Sequence, residues 1–162
     1  MGEILFCNQC GMANGPGARY GGFWIRVVAA IIDFLIVSLV VAPVSAIIGL
    51  VIGTVGGAVA MPGFGVHLVN LIVGGGLSLF ANWIYEAGME SSSKQATLGK
   101  MALALKVTDI EGRRISFARA TGRHFAKILS GMILGIGYIM VGFTERKQGL
   151  HDMLAGTLVR RN

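Results

Sequence analysis

Between Arg26 and Lys94 the chain has no lysine or arginine, and charged residues fill only 14% of its 162 positions, against the roughly 25% usual in soluble domains. That scarcity argues against a soluble enzyme. The glycines follow no period of three, which excludes collagen, and disorder would leave too much apolar surface in water. No nucleophile with its base, metal-ligand set or cofactor loop stands out, so the expectation is that the chain is not an enzyme. The opening MGEILFCNQCG lacks the basic, apolar and small-residue regions of a signal peptide, so the start is expected to be retained, with a cytoplasmic N-terminus.

What the chain does have is 54% hydrophobic residues, 25 glycines and a mean hydropathy of +0.69, the composition of close-packed membrane helices. Its net charge of +6 is lopsided, because twelve of the 14 basic residues follow residue 93. No aromatic-interleaved basic motif or zinc-finger spacing accompanies that basicity, so anionic lipid is the expected partner and nucleic acid is not.

From Val27 to Ala60 only Asp33 carries a charge, so this stretch reads as a membrane-spanning helix, with spans expected near 24–53 and 67–87. Pro43 predicts a kink, and the glycines at 49, 53 and 57 predict a seam for another helix, within the protomer or in a dimer. MPGFG at 61–65 reads as the turn between spans. In the second span Ser78, Asn82 and Glu86 recur every four residues and share a face expected to look into the bundle, while Trp83 and Tyr85 fit an interfacial belt.

After the second span, ALALKVTDIEGRRISF reads as a small cytoplasmic β-hairpin turning at Glu111-Gly112, with TLVRR as a third strand. In FARATGRHFAKILS, Arg119, Arg123 and Lys127 form a basic stripe opposite Phe117, Phe125 and Ile128, which predicts an amphipathic helix lying on a membrane surface. Lys100 joins these three as an expected lipid or anion contact. A glycine-rich third membrane segment near 125–143 is either re-entrant or spanning. A full crossing would place Arg146, Lys147, Arg160 and Arg161 outside and part TLVRR from its sheet partners, so the re-entrant form is preferred.

Asp33 lies nine residues beyond Trp24, about 13 Å along a helix, and a carboxylate near the bilayer centre costs at least ~2.5 kcal/mol. Arg26 shares its face, about 10 Å away along the axis. A proton or cation site and a buried ion pair are both compatible with this spacing.

These pieces together resemble the RDD family of bacterial integral membrane proteins over residues 18–162. ARYGGFWIRVVAAIIDFLI is similar to its first helix, with Arg26 as the arginine and Asp33 as the first aspartate; ERKQGLHDMLAGTLV resembles its C-terminal motif, with Asp152 as the second aspartate. The segment from ESSSKQATLGK to HFAKILS resembles its loop, hairpin and amphipathic helix. The resemblance implies a multi-spanning inner-membrane protein with a transport role, sodium/proton antiport being ascribed to at least one relative, and supplies no substrate.

Thr97-Leu98-Gly99-Lys100 matches a family signature but lacks the preceding glycine and following Ser/Thr of a P-loop, so it reads as a tight turn with a snorkelling lysine. His151 beside Asp152 reads as structural hydrogen bonding. Cys7 and Cys10 have the spacing of half a zinc knuckle in a tail of residues 1–17 and resemble the first knuckle of zinc-ribbon heads on some relatives. With no other cysteine, zinc would have to be shared between chains; redox use and a vestigial tail are the alternatives.

The expected fold is thus an all-α integral membrane protein of the bacterial inner membrane, with two transmembrane helices, the third segment, the hairpin and the amphipathic helix. The expected function is a transporter-like role in a homo-oligomer, coupled to a cation or proton through Asp33, Arg26 and Asp152, with Ser78, Asn82 and Glu86 lining the pathway. The alternative is a non-transporting scaffold or accessory subunit that gathers anionic lipid or a partner protein.

Overall fold

The computed structural model describes residues 5–6, 13–14, 19–132 and 136–161, so Cys7 and Cys10 lie outside the described residues. Two short strands, β1 (Leu5–Phe6) and β2 (Ala13–Asn14), pair antiparallel. Then come helix α1 (Phe23–Ala58) and helix α2 (Gly63–Ser91), both uniformly apolar enough to cross a membrane. Both are longer than expected. Pro43 sits inside α1 without ending it, and α2 begins at once after Pro62, whose carbonyl accepts the N–H groups of Gly65 and Val66.

The chain divides into two compact units, Phe34–Ile84 and the remainder, Met1–Asp33 with Tyr85–Asn162. Within Phe34–Ile84 large side chains such as Leu39, Leu50, Phe64 and Leu71 are at least 69% exposed, as lipid-facing residues are. A Cβ on Gly56 would stand 2.7 Å from the Val66 side chain and one on Gly49 would stand 3.1 Å from Asn70, whereas Gly53 and Gly57 have nothing within 4 Å. Within this unit the close approaches thus fall at Gly49 and Gly56, two helical turns apart, while Gly53 and Gly57 face open space.

In the other unit, α3 (Leu98–Ala102) leads into strand β3 (Leu105–Asp109), followed by α4 (Phe117–Met132), α5 (Ile136–Phe143), α6 (Leu150–Ala155) and strand β4 (Thr157–Arg161). β3 and β4 pair antiparallel from Leu105↔Arg161 to Asp109↔Thr157. The expected hairpin between β3 and RRISF does not form. Asp109 Oδ1 instead accepts the N–H groups of Glu111 and Arg113 at 2.9 and 2.8 Å, a side-chain turn that competes with a strand ladder. Ser116 then opens α4, its carbonyl accepting from Ala120 and its hydroxyl from the Arg119 N–H.

Val107, Val159, Leu105 and Ile115 make the buried core beside the sheet. Gly156, with φ +59°, ends α6 in the left-handed conformation and turns the chain directly into β4. Helices α4 and α5 meet at 95°, and the Tyr138 hydroxyl ties them by donating to the Lys127 carbonyl at 2.9 Å. β3 precedes this bent pair and β4 follows it, so the chain leaves one sheet and returns to it.

Candidate functional site

Asp33 is held by three donors. Its carboxylate accepts the Tyr85 hydroxyl at 2.7 Å, the Thr97 hydroxyl at 2.5 Å and the Gly99 N–H at 2.8 Å. Thr97 is the N-cap of α3 and donates its hydroxyl to Asp33, so the carboxylate of α1 takes the place of a local cap. The Tyr85 oxygen in turn accepts the Leu98 N–H at 2.9 Å. Position 99 must be glycine, because a Cβ there would run into the Ala29 carbonyl oxygen and the Asp33 carboxyl. The uncharged stretch 34–58 that follows would alone span roughly 37 Å, enough for the hydrocarbon layer. Asp33 itself lies near the N-terminal end of α1, ten residues after Phe23.

Arg123 of α4 is the hub of a second group. Its Nη1 donates to Glu90 Oε1 at 2.5 Å, and its Nε and Nη2 reach Asp152 Oδ1 at 2.8 Å. Asp152, fully buried, also receives Arg26 Nη1 and, at 3.3 Å, the Gly149 N–H that opens α6. Arg26 further donates to the carbonyls of Gly21 and Lys147. Lys100 donates to the same Glu90 oxygen that Arg123 holds, leaving Glu90 Oε2 buried without a partner.

Glu86, one turn before Glu90, gathers Lys127, Lys100 at 3.4 Å and His124 Nδ1 at 2.8 Å. Three carboxylates, on Glu86, Glu90 and Asp152, and four basic side chains, of Arg26, Lys100, Arg123 and Lys127, therefore share this network, which pairs ions where desolvation makes an unpaired one expensive. Burial drives the Asp152 carboxyl up, but Arg123 and Arg26 outweigh it and hold it well below the usual carboxylate range. Burial likewise pushes Lys100 down, with Glu90 pulling the other way. His151, packed on the Tyr138 ring, is pushed down to about 3 mainly by burial and is neutral.

The arginine–aspartate constellation falls inside a matched sequence profile, that of the RDD family, which covers residues 20–156. The chain belongs to the RDD family. It is 39% identical over 146 residues to the uncharacterized protein YxaI of Bacillus subtilis (strain 168), covering 85% of this chain and 95% of that protein. It is 30% identical over 147 residues to the uncharacterized membrane protein YteJ of the same organism, covering 86% of this chain and 80% of that one. No solved structure matches the chain significantly.

In this RDD protein Arg26 and Asp152 meet directly, while Asp33 takes neutral donors and not Arg26. The amphipathic helix is turned opposite to expectation. Arg123 is 2% exposed, whereas Phe125 is 53% and Met132 76% exposed; Lys127 is paired with Glu86. Of the four basic residues expected to meet lipid, only Arg119 stays mostly open, 3.9 Å from Asp109. Three carboxylates, on Glu86, Glu90 and Asp152, draw the basic stripe inward and leave the apolar face outside.

Ser78 and Asn82 each bond back to their own helix, at the carbonyls of Gly74 and Ser78. Lys100 is buried and not snorkelling, and Tyr85 is a ligand of Asp33 as well as an aromatic side chain. Glu90 is a site residue that the sequence pattern alone does not single out. The four-residue stripe of Ser78, Asn82 and Glu86 continues to Glu90, and Glu86/Glu90 match the spacing of Arg123/Lys127. That paired spacing was the available signal.

Proposed function

We propose that this chain is a membrane-embedded scaffold or accessory subunit, not a carrier in its own right. One observation carries the reading: the three residues best suited to move an ion, Arg26, Asp33 and Asp152, are each fixed by several partners. A working ion site needs a ligand position that opens and closes, and side chains held by several hydrogen bonds at once are rigid. In this reading α1 and α2 anchor the protein, the outer face of α4 and α5 dips into lipid, and the open faces of Gly53 and Gly57 pack against another copy. The basic residues lie on the cytoplasmic side of a bacterial inner membrane, with the loop at Pro62 outside.

The test is reconstitution into vesicles with a panel of cation and proton gradients, beside native mass spectrometry of the detergent-solubilised chain. A defined homo-oligomer with no solute-dependent flux supports the scaffold. Gradient-dependent flux overturns it.

A second reading, cation or proton coupling, is favoured by the Glu86 cluster, where His124, Lys127 and Lys100 compete for one partly exposed carboxylate. Flux that disappears in Glu86→Gln would establish that reading.

A further inference from the structure

Strand β4 buries Arg160 and leaves two of its side-chain nitrogens without an acceptor. Arg160 is 2% exposed, and its Nε and Nη1 are buried without a partner. The register sets Lys106 of β3 directly opposite on one side, and an isolated bridge sets Tyr20 opposite on the other. Directly opposed residues share a sheet face, so a phenol, a guanidinium and an ammonium stand in one row.

Among the described residues no carboxylate pairs with Arg160 or Lys106; the nearest acid along β3, Asp109, is committed to Arg113 and the turn N–H groups. Like charges directly opposed across strands repel, and buried donors without acceptors are costly. A guanidinium does not shed its proton to escape that cost. A small anion with several oxygens and a charge near two removes both penalties together. A carboxylate offers half the charge and fewer acceptors; a phosphate monoester supplies about −1.5 to −2 and three acceptor oxygens.

We propose that Arg160 and Lys106, with Tyr20 as a third donor, form a binding site for a phosphate monoester group. Inorganic phosphate and the headgroup of phosphatidic acid both carry this chemistry. The Arg123 network has its own carboxylates and none of them pairs with Arg160 or Lys106.

The experiment uses the full chain and reads thermal unfolding. One arm titrates sodium phosphate against sodium chloride at matched ionic strength in detergent; the other compares phosphatidylcholine nanodiscs with and without phosphatidic acid. Phosphate from at least one source should raise the melting temperature of the parent. Lys106→Met should weaken that response about tenfold. Arg160→Met should abolish it and, in chloride alone, melt above the parent, because the unmet charge is gone. Lys94→Met, an equal change of charge at an exposed position, should respond as the parent does. A response to phosphatidic acid alone assigns the headgroup, and a response to inorganic phosphate assigns the soluble ion. If Arg160→Met does not fold, Lys106→Met decides. A parent indifferent to both sources, or a Lys106→Met response equal to that of the parent, overturns the site.

Discussion

The Asp33 carboxylate accepts the Gly99 N–H at 2.8 Å across 66 positions of sequence, so a side chain of the first membrane helix caps the short helix that follows the second. With the Tyr85 and Thr97 hydroxyls it makes three bonds, all from donors. Asparagine is nearly isosteric but would turn its NH2 group toward one of them. Asp33→Asn is therefore expected to destabilise the protein by about 1–3 kcal/mol. Gly99→Ala should do comparable damage through overpacking against Ala29, about 1–3 kcal/mol. Chemical denaturation in detergent checks both, and a melting curve for either variant that overlays the parent would refute the capping role.

Arg123 bridges Glu90 and Asp152, which come from different helices. Removing it leaves two buried carboxylates short of partners, and Arg123→Met is expected to cost about 3–5 kcal/mol. Arg123→Lys should recover little of this, because one compact ammonium cannot reproduce a planar fork with two partners. Arg119→Met, on the exposed side of the same helix, should change stability by less than about 0.5 kcal/mol. Equal losses for Arg119 and Arg123 would remove the network from the account of stability.

His151 supplies a pH signature. It titrates near 6.5 in the unfolded chain and near 3 in the folded one, so between those values the unfolded state binds more protons. Its contribution is complete above pH 6.5 and declines as pH falls toward 3. The surrounding charges are Asp152 on its own helix, Arg123 and Lys127 on α4 and Arg26 on α1, with the Tyr138 ring of α5 against it. His151→Gln should flatten the stability profile between about pH 6.5 and 4.5, above the carboxylate range near 3.9 in which Asp152 begins to matter. An unchanged slope would mean that His151 is already solvated.

Topology is open to chemical labelling. A cysteine at Gly63 should react with a membrane-impermeant thiol reagent from the outer face, and one at Gly112 should react only after the membrane is opened, in a Cys7→Ser, Cys10→Ser background. The expectation rests on the absence of lysine and arginine from residues 34–84. Labelling of Gly112→Cys in intact cells would invert the orientation.

The two apolar helices, the turn at Pro62, the apolar and basic faces of α4 and the membrane setting were all legible in the chain, because period and composition are local properties that hydrocarbon enforces residue by residue. The family pattern marked Arg26, Asp33 and Asp152 as a set, without saying which met which. The tertiary structure decided that Asp152 takes Arg26 and Arg123 while Asp33 takes Tyr85, Thr97 and Gly99. It also turned the basic face of α4 inward. A basic stripe satisfies its hydrogen bonds equally well against lipid phosphates or buried carboxylates, and only the arrival of Glu86, Glu90 and Asp152 from α2 and α6 selects between them. The strand pairing was settled in the same way: TLVRR and LKVTD lie far apart in sequence, and the turn chemistry of Asp109 removed the local competitor.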